Sequence, residues 1–136
     1  MKITCVPTSE VRSVWSMVRH HLIPAIDLSG GRWTAEYVLA ALALGEQTLW
    51  VATSDNGVVG AATVQIISYP ERKNVAIHFL GGNDFDTWYS KMLSDLEEYG
   101  KAFGCNAIEC NARHGFWKFF KEDGFMKSST FYEKVI

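Results

Sequence analysis

The spacing of apolar positions changes character several times along the chain, and each change marks an element. Lys2–Val6 has the alternation of a short strand, ended by Pro7. Thr8 or Ser9 can cap the helix that follows, which places Val11, Val14, Trp15, Val18 and Leu22 on one face. Pro24 and the Gly30-Gly31 pair predict a loop. Thr34 then caps a second helix, with Trp33 and Val38 set as a hydrophobic staple and Gly45 as the stop.

Two β-branched runs, residues 48–53 and 58–69, flank Asp55-Asn56-Gly57, and Asn-Gly between such runs predicts a tight antiparallel hairpin. Pro70 breaks the second run, the polar stretch 71–74 reverses the chain, and residues 75–80 supply a third consecutive strand. From Phe85 to Phe103 the period becomes helical: Trp88, Met92, Leu96, Tyr99 and Phe103 share a stripe from which Asp95, Glu97, Glu98 and Lys101 are absent. Gly104 ends it, and residues 105–110 are strand-like again, so this passage fits a right-handed parallel crossover. A short aromatic helix over 115–121 stops at Asp123-Gly124, and residues 125–136 are expected to return as one bent strand or two short ones. The order βααβββαβαβ defines an α/β fold: a mixed, mostly antiparallel twisted sheet with one β-α-β crossover, in a single domain spanning residues 1–136.

Composition narrows the function. At 136 residues and 48% hydrophobic, the chain can bury one core and no more. Its net charge of −2 comes from interspersed acids and bases, which leaves no basic stripe for nucleic acid. No apolar run approaches the roughly 20 residues of a membrane span, and the first residues do not read as an export signal. Cys5, Cys105 and Cys110 are odd in number and share no metal-ligand spacing with the histidines, so a reducing cytoplasm and no metal are expected.

Two late segments carry a family likeness. Residues 93–105, LSDLEEYGKAFGC, read as a long helix running into a strand, and residues 119–125, FFKEDGF, end in a Lys-x-x-Gly-Phe pattern. With the element order, these resemble the GCN5-related N-acetyltransferases (GNAT) over essentially the whole chain. The resemblance implies that the fourth and fifth strands splay apart and admit acetyl-CoA, whose pyrophosphate lies against backbone N–H groups at the start of the long helix. Unsatisfied amides and the positive end of the dipole make such a helix start an anion site. On this mapping Leu80 polarises the thioester carbonyl, while Gly81, Gly82 and Asn83 contact the pyrophosphate. His78 and Glu109 are the candidate bases that take a proton from the acceptor, and Arg32 and Trp33 help shape the acceptor site. The acceptor would be the amine of a small molecule or a protein.

The likeness has two departures. Asp84, Phe85, Asp86, Thr87 and Trp88 stand where the family's loop is rich in glycine; two carboxylates repel a pyrophosphate, and Trp88 and Tyr89 are expected to crowd the backbone. Phe120 stands where the family places the tyrosine that protonates the leaving thiolate, and Tyr132 is the other phenol near the end of the chain. A narrower similarity, through residues 31–36, 49–52, 69–72 and the Gly81-Gly82 turn, is to small GNAT-like proteins of phages and prophages. It implies an alternative: a non-catalytic binding or structural protein, virion-associated or part of assembly, acting as a homo-oligomer or with a phage or host protein partner. Each candidate also has a plain structural role: the glycines relieve strain, Asp84 or Asp86 caps the helix, His78 and Glu109 are solvated strand residues, and Trp33 is a staple.

Overall fold

Five strands form: Lys2–Val6 (β1), Thr48–Ser54 (β2), Gly57–Ser68 (β3), Lys73–Gly82 (β4) and Ala107–Cys110 (β5). In the computed structural model, which describes residues 1–136, they make one sheet in the order β1-β2-β3-β4-β5. Every pairing is antiparallel except β4 with β5, which is parallel. The Asn56-Gly57 hairpin, the meander and the crossover all stand where the hydrophobic pattern puts them.

The helices Val11–Asp27 (α1) and Ala35–Ala43 (α2) cover one face of the sheet. Their apolar stripes close over Leu49, Val51, Ala61 and Phe79, with Leu22, Val38 and Leu42 fully buried between the layers. Phe85–Ala102 (α3) covers the other face, where Trp88, Met92 and Leu96 pack on Trp50, Ala62, Val64, Val75 and Ile77. Strand alternation supplies both layers from the same strands. Thr34 caps α2 as expected, its hydroxyl accepting from the Tyr37 amide.

Two details depart from the sequence reading. α1 runs through Pro24 to Asp27. A proline removes one intrahelical N–H bond, here the one His20 would accept, but Leu22 and Ile26 on either side are buried and hold the last turn in the core. The expected strand or strands over 125–136 do not form. Only Phe125 of that segment is partly buried, against Phe120, and Lys127-Ser128-Ser129-Thr130 interrupts the apolar alternation that a strand needs to cover a core. The segment instead touches the α1–α2 loop, where the Arg32 guanidinium lies 2.7 Å from the Glu133 carboxylate and 5.0 Å from the Phe131 ring centre.

Candidate functional site: the gap between β4 and β5

The parallel ladder between β4 and β5 is short. It runs from Asn74↔Ala107 to Ile77↔Cys110, while β4 continues to Gly82. Beyond Ile77, β4 has β3 on one side and no strand on the other. Successive strand residues turn their N–H and C=O groups to alternate sides, so the stretch 78–82 presents backbone donors and acceptors to that open side. The parting coincides with a bulge: Thr63 pairs with Phe79 and Val64 with Ile77, which leaves His78 as the extra residue of β4. A bulge bends its strand and re-aims the side chains beside it.

On the α3 side of the gap lies a cavity of about 370 Å³. Gly81, Gly82 and Phe85 form one wall, at the β4–α3 turn; Arg113, Phe116, Lys118 and Phe119 form the other, in and before the short helix Trp117–Phe120 (α4). Phe85 packs edge-on against both Phe116 and Phe119, which ties the walls together at the base.

Trp88 and Tyr89 do not crowd the start of α3, contrary to expectation. Trp88 is fully buried, and its indole N–H donates to the Asn83 carbonyl at 2.8 Å. Gly60 makes this possible, because any Cβ there would overlap the Trp88 ring. Tyr89 turns toward Leu93 and Phe120. The helix pattern that put Trp88 on one stripe with Met92 and Leu96 already pointed it into the core.

The predicted cofactor residues fare unevenly. Gly81 and Gly82 line the cavity, and the Leu80 side chain is buried on the α3 side. Asn83 is committed elsewhere: its N–H donates to the Val59 carbonyl at 2.7 Å and its own carbonyl holds Trp88. Gly81 has a structural cause as well, since a side chain there would run into the His21 carbonyl of α1. Asp84 adopts a left-handed conformation with φ of 51°, and neither it nor Asp86 caps α3 through its side chain. The Asp84 carbonyl accepts instead from the Thr87 amide and hydroxyl.

The two candidate bases share the opposite face of the sheet. Ile108 and Cys110 pack toward α3, so Glu109 between them faces away, beside His78. Glu109 accepts from the Tyr69 hydroxyl at 2.8 Å and from the Asn74 side-chain amide at 2.9 Å. His78 Nε2 lies 2.7 Å from Gln65 Oε1. With Nε2 as the donor, Nδ1 keeps the free lone pair. Burial lowers the His78 pKa below its ordinary value, against the opposing pull of the Glu109 charge. Trp33 meets Phe79, the residue after the bulge, edge-on at 5.9 Å, and so does stand beside this face. Arg32 is engaged with Glu133, Phe131 and the Ser29 carbonyl.

No tyrosine replaces the hydroxyl missing at Phe120, which is buried beside Tyr89 and Phe125. The Tyr89 hydroxyl is buried without a hydrogen-bond partner, and burial, with Asp123 second, raises its pKa. Tyr132 is exposed in the final segment. Cys110 is also inert, its thiol pushed up to about 12 by burial.

Histidine burial has a measurable consequence. His21 and His78 are both held below their ordinary pKa by desolvation, so the unfolded chain takes up protons first as the pH falls through about 6.5. Stability is therefore full above that value and is lost on acidification. Urea midpoints should fall between about pH 8 and pH 5, and the drop should shrink in His21→Gln/His78→Gln.

The mixed five-stranded sheet, with β4 and β5 parted beyond Ile77, is a GNAT-like fold. Solved structures agree. A predicted acetyltransferase from Clostridium acetobutylicum, solved with acetyl-CoA, superposes with a TM-score of 0.69 at 16% identity, over 98% of this chain and 95% of that one. An aminoglycoside acetyltransferase from an uncultured soil metagenomic sample gives 0.71 at 14% identity, over 99% and 97%. A GNAT family acetyltransferase from Staphylococcus aureus gives 0.64 at 16%, over 99% and 98%. No family model and no curated protein matches the chain. No helix is long and apolar enough to cross a membrane.

Proposed function

We propose that this chain binds acetyl-CoA or a related acyl-CoA in the gap between β4 and β5 and transfers the acyl group to an amine. One observation carries the reading: β4 runs past the end of β5 as a bulged strand whose free side opens beside a cavity at the β4–α3 turn. Backbone N–H groups there, near Leu80, can polarise a thioester carbonyl, and Gly81 and Gly82 line the cavity beside them. His78, neutral at pH 7, takes the proton from an acceptor amine arriving on the far face of the sheet. Glu109 holds Tyr69 and Asn74 in place and supplies negative charge that favours a cationic acceptor. The amine nitrogen attacks the thioester carbon, the C–S bond breaks, and the thiolate takes its proton from solvent, since Phe120 offers none.

Phe120 favours a second reading, in which the ligand is bound without transfer and the protein serves as a binding or structural component, as in the phage-encoded resemblance. Amine-dependent release of free CoA thiol separates the two. Transfer predicts thiol release that rises with acceptor concentration across a panel of small amines and lysine peptides. Tight binding of acetyl-CoA with no release above the uncatalysed rate would leave only the second reading.

A further inference from the structure

The charged residues that line the cavity are both cations, Arg113 and Lys118. At the start of α3 stand Asp84 and Asp86, both exposed. Of the amides there, those of Asn83 and Thr87 are bonded, to Val59 and Asp84, and those of Phe85 and Asp86 sit beside the two carboxylates. The facing wall carries Arg113 and Lys118, and neither forms an ion pair. The Arg113 guanidinium lies 5.5 Å from the Phe116 ring centre and the Lys118 ammonium 5.1 Å from that of Phe119. Both rings line the same cavity, so cation–π contact holds the two charges at its surface. The positive charge at the cavity thus lies on this wall, and the negative charge nearby at the start of α3.

We infer that Arg113 and Lys118 hold the phosphate groups of the ligand, in place of the amides at the start of α3. The identity of the ligand as acyl-CoA rests on the function proposed above; the chemistry is that of any phosphate ester whose apolar arm lies against Phe85, Phe116 and Phe119. Charge-assisted bonds from a guanidinium and an ammonium suit this role, and the exposed carboxylates of Asp84 and Asp86 steer the anion away from the start of α3.

The test is calorimetry with three probes: acetyl-CoA, inorganic pyrophosphate, and S-acetyl-N-acetylcysteamine, a thioester without phosphate. Arg113→Gln/Lys118→Gln should weaken acetyl-CoA binding by about tenfold or more, and pyrophosphate binding likewise. Asp84→Asn/Asp86→Asn should tighten both, and neither pair should alter binding of the phosphate-free thioester. Melting curves confirm that the variants, all at exposed positions, stay folded. If the wild type binds acetyl-CoA and the Arg113/Lys118 pair binds it equally well, the inference is wrong while the acyl-CoA reading stands. If the wild type ignores acetyl-CoA but binds pyrophosphate through these two residues, the acyl-CoA reading falls and the inference holds. A wild type that binds neither overturns both.

Discussion

Trp88→Ala should destabilise the protein by about 3–5 kcal/mol, the range for deleting a fully buried large aromatic side chain. Against a typical domain stability of about 5–15 kcal/mol this is a large fraction. The indole is completely enclosed, packs edge-on against Phe85 at 5.0 Å between ring centres, and is seated where Gly60 leaves room for it. Its removal opens a void beneath β3 and β4 and strips the Asn83 carbonyl of its donor. Trp88→Phe should cost less, because most of the apolar volume returns, though not the N–H. Urea unfolding followed by circular dichroism measures both. Trp88→Ala with wild-type stability would mean that the β4–α3 turn is not built on this side chain.

His78→Gln should lower the turnover of the amine reaction by about 10²–10⁴-fold, the usual contribution of a positioned general base. Glutamine can still bond Gln65 across the strands, so the variant removes the base and spares the sheet. Acetyl-CoA affinity should be unchanged, because His78 faces away from the α3-side cavity. Since burial lowers the His78 pKa, the acid limb of the wild-type pH–rate profile should lie below about 6.5 and vanish in the variant. An unchanged turnover would assign the proton transfer to water.

Most of the fold was legible because its signals are local. Asn56-Gly57 marks a hairpin, Thr34 a cap, and the Trp88–Met92–Leu96 stripe a core helix, each within a few residues. The place of the candidate cavity was legible for the same reason: Gly81-Gly82, which line it, sit where strand spacing gives way to helix spacing. Its contents were not. The bulge at His78 adds one residue to β4 without any compositional mark, and it appears only through the pairing of Thr63 and Val64. Arg113 and Lys118 lie some 30 residues along the chain from Gly82 and reach the cavity through the crossover, a contact that no periodicity encodes. A signal did exist, in Lys118 within the Phe116-Trp117-Phe119 cluster and Arg113 just before it, but the cluster itself reads as core packing. The tail misled because Phe125, Phe131, Tyr132, Val135 and Ile136 favour strands, whereas a strand needs a face to bury and the four polar residues 127–130 remove it.

The most direct test follows the backbone amides in ¹H–¹⁵N spectra while acetyl-CoA is added. Binding in the gap predicts saturable shifts concentrated at residues 78–82 on β4 and 110–119 across from it, with β1 and β2 unmoved. Millimolar acetyl-CoA that leaves those amides unshifted, or shifts only residues remote from β4 and β5, would contradict the assignment of this gap as the acyl-CoA site.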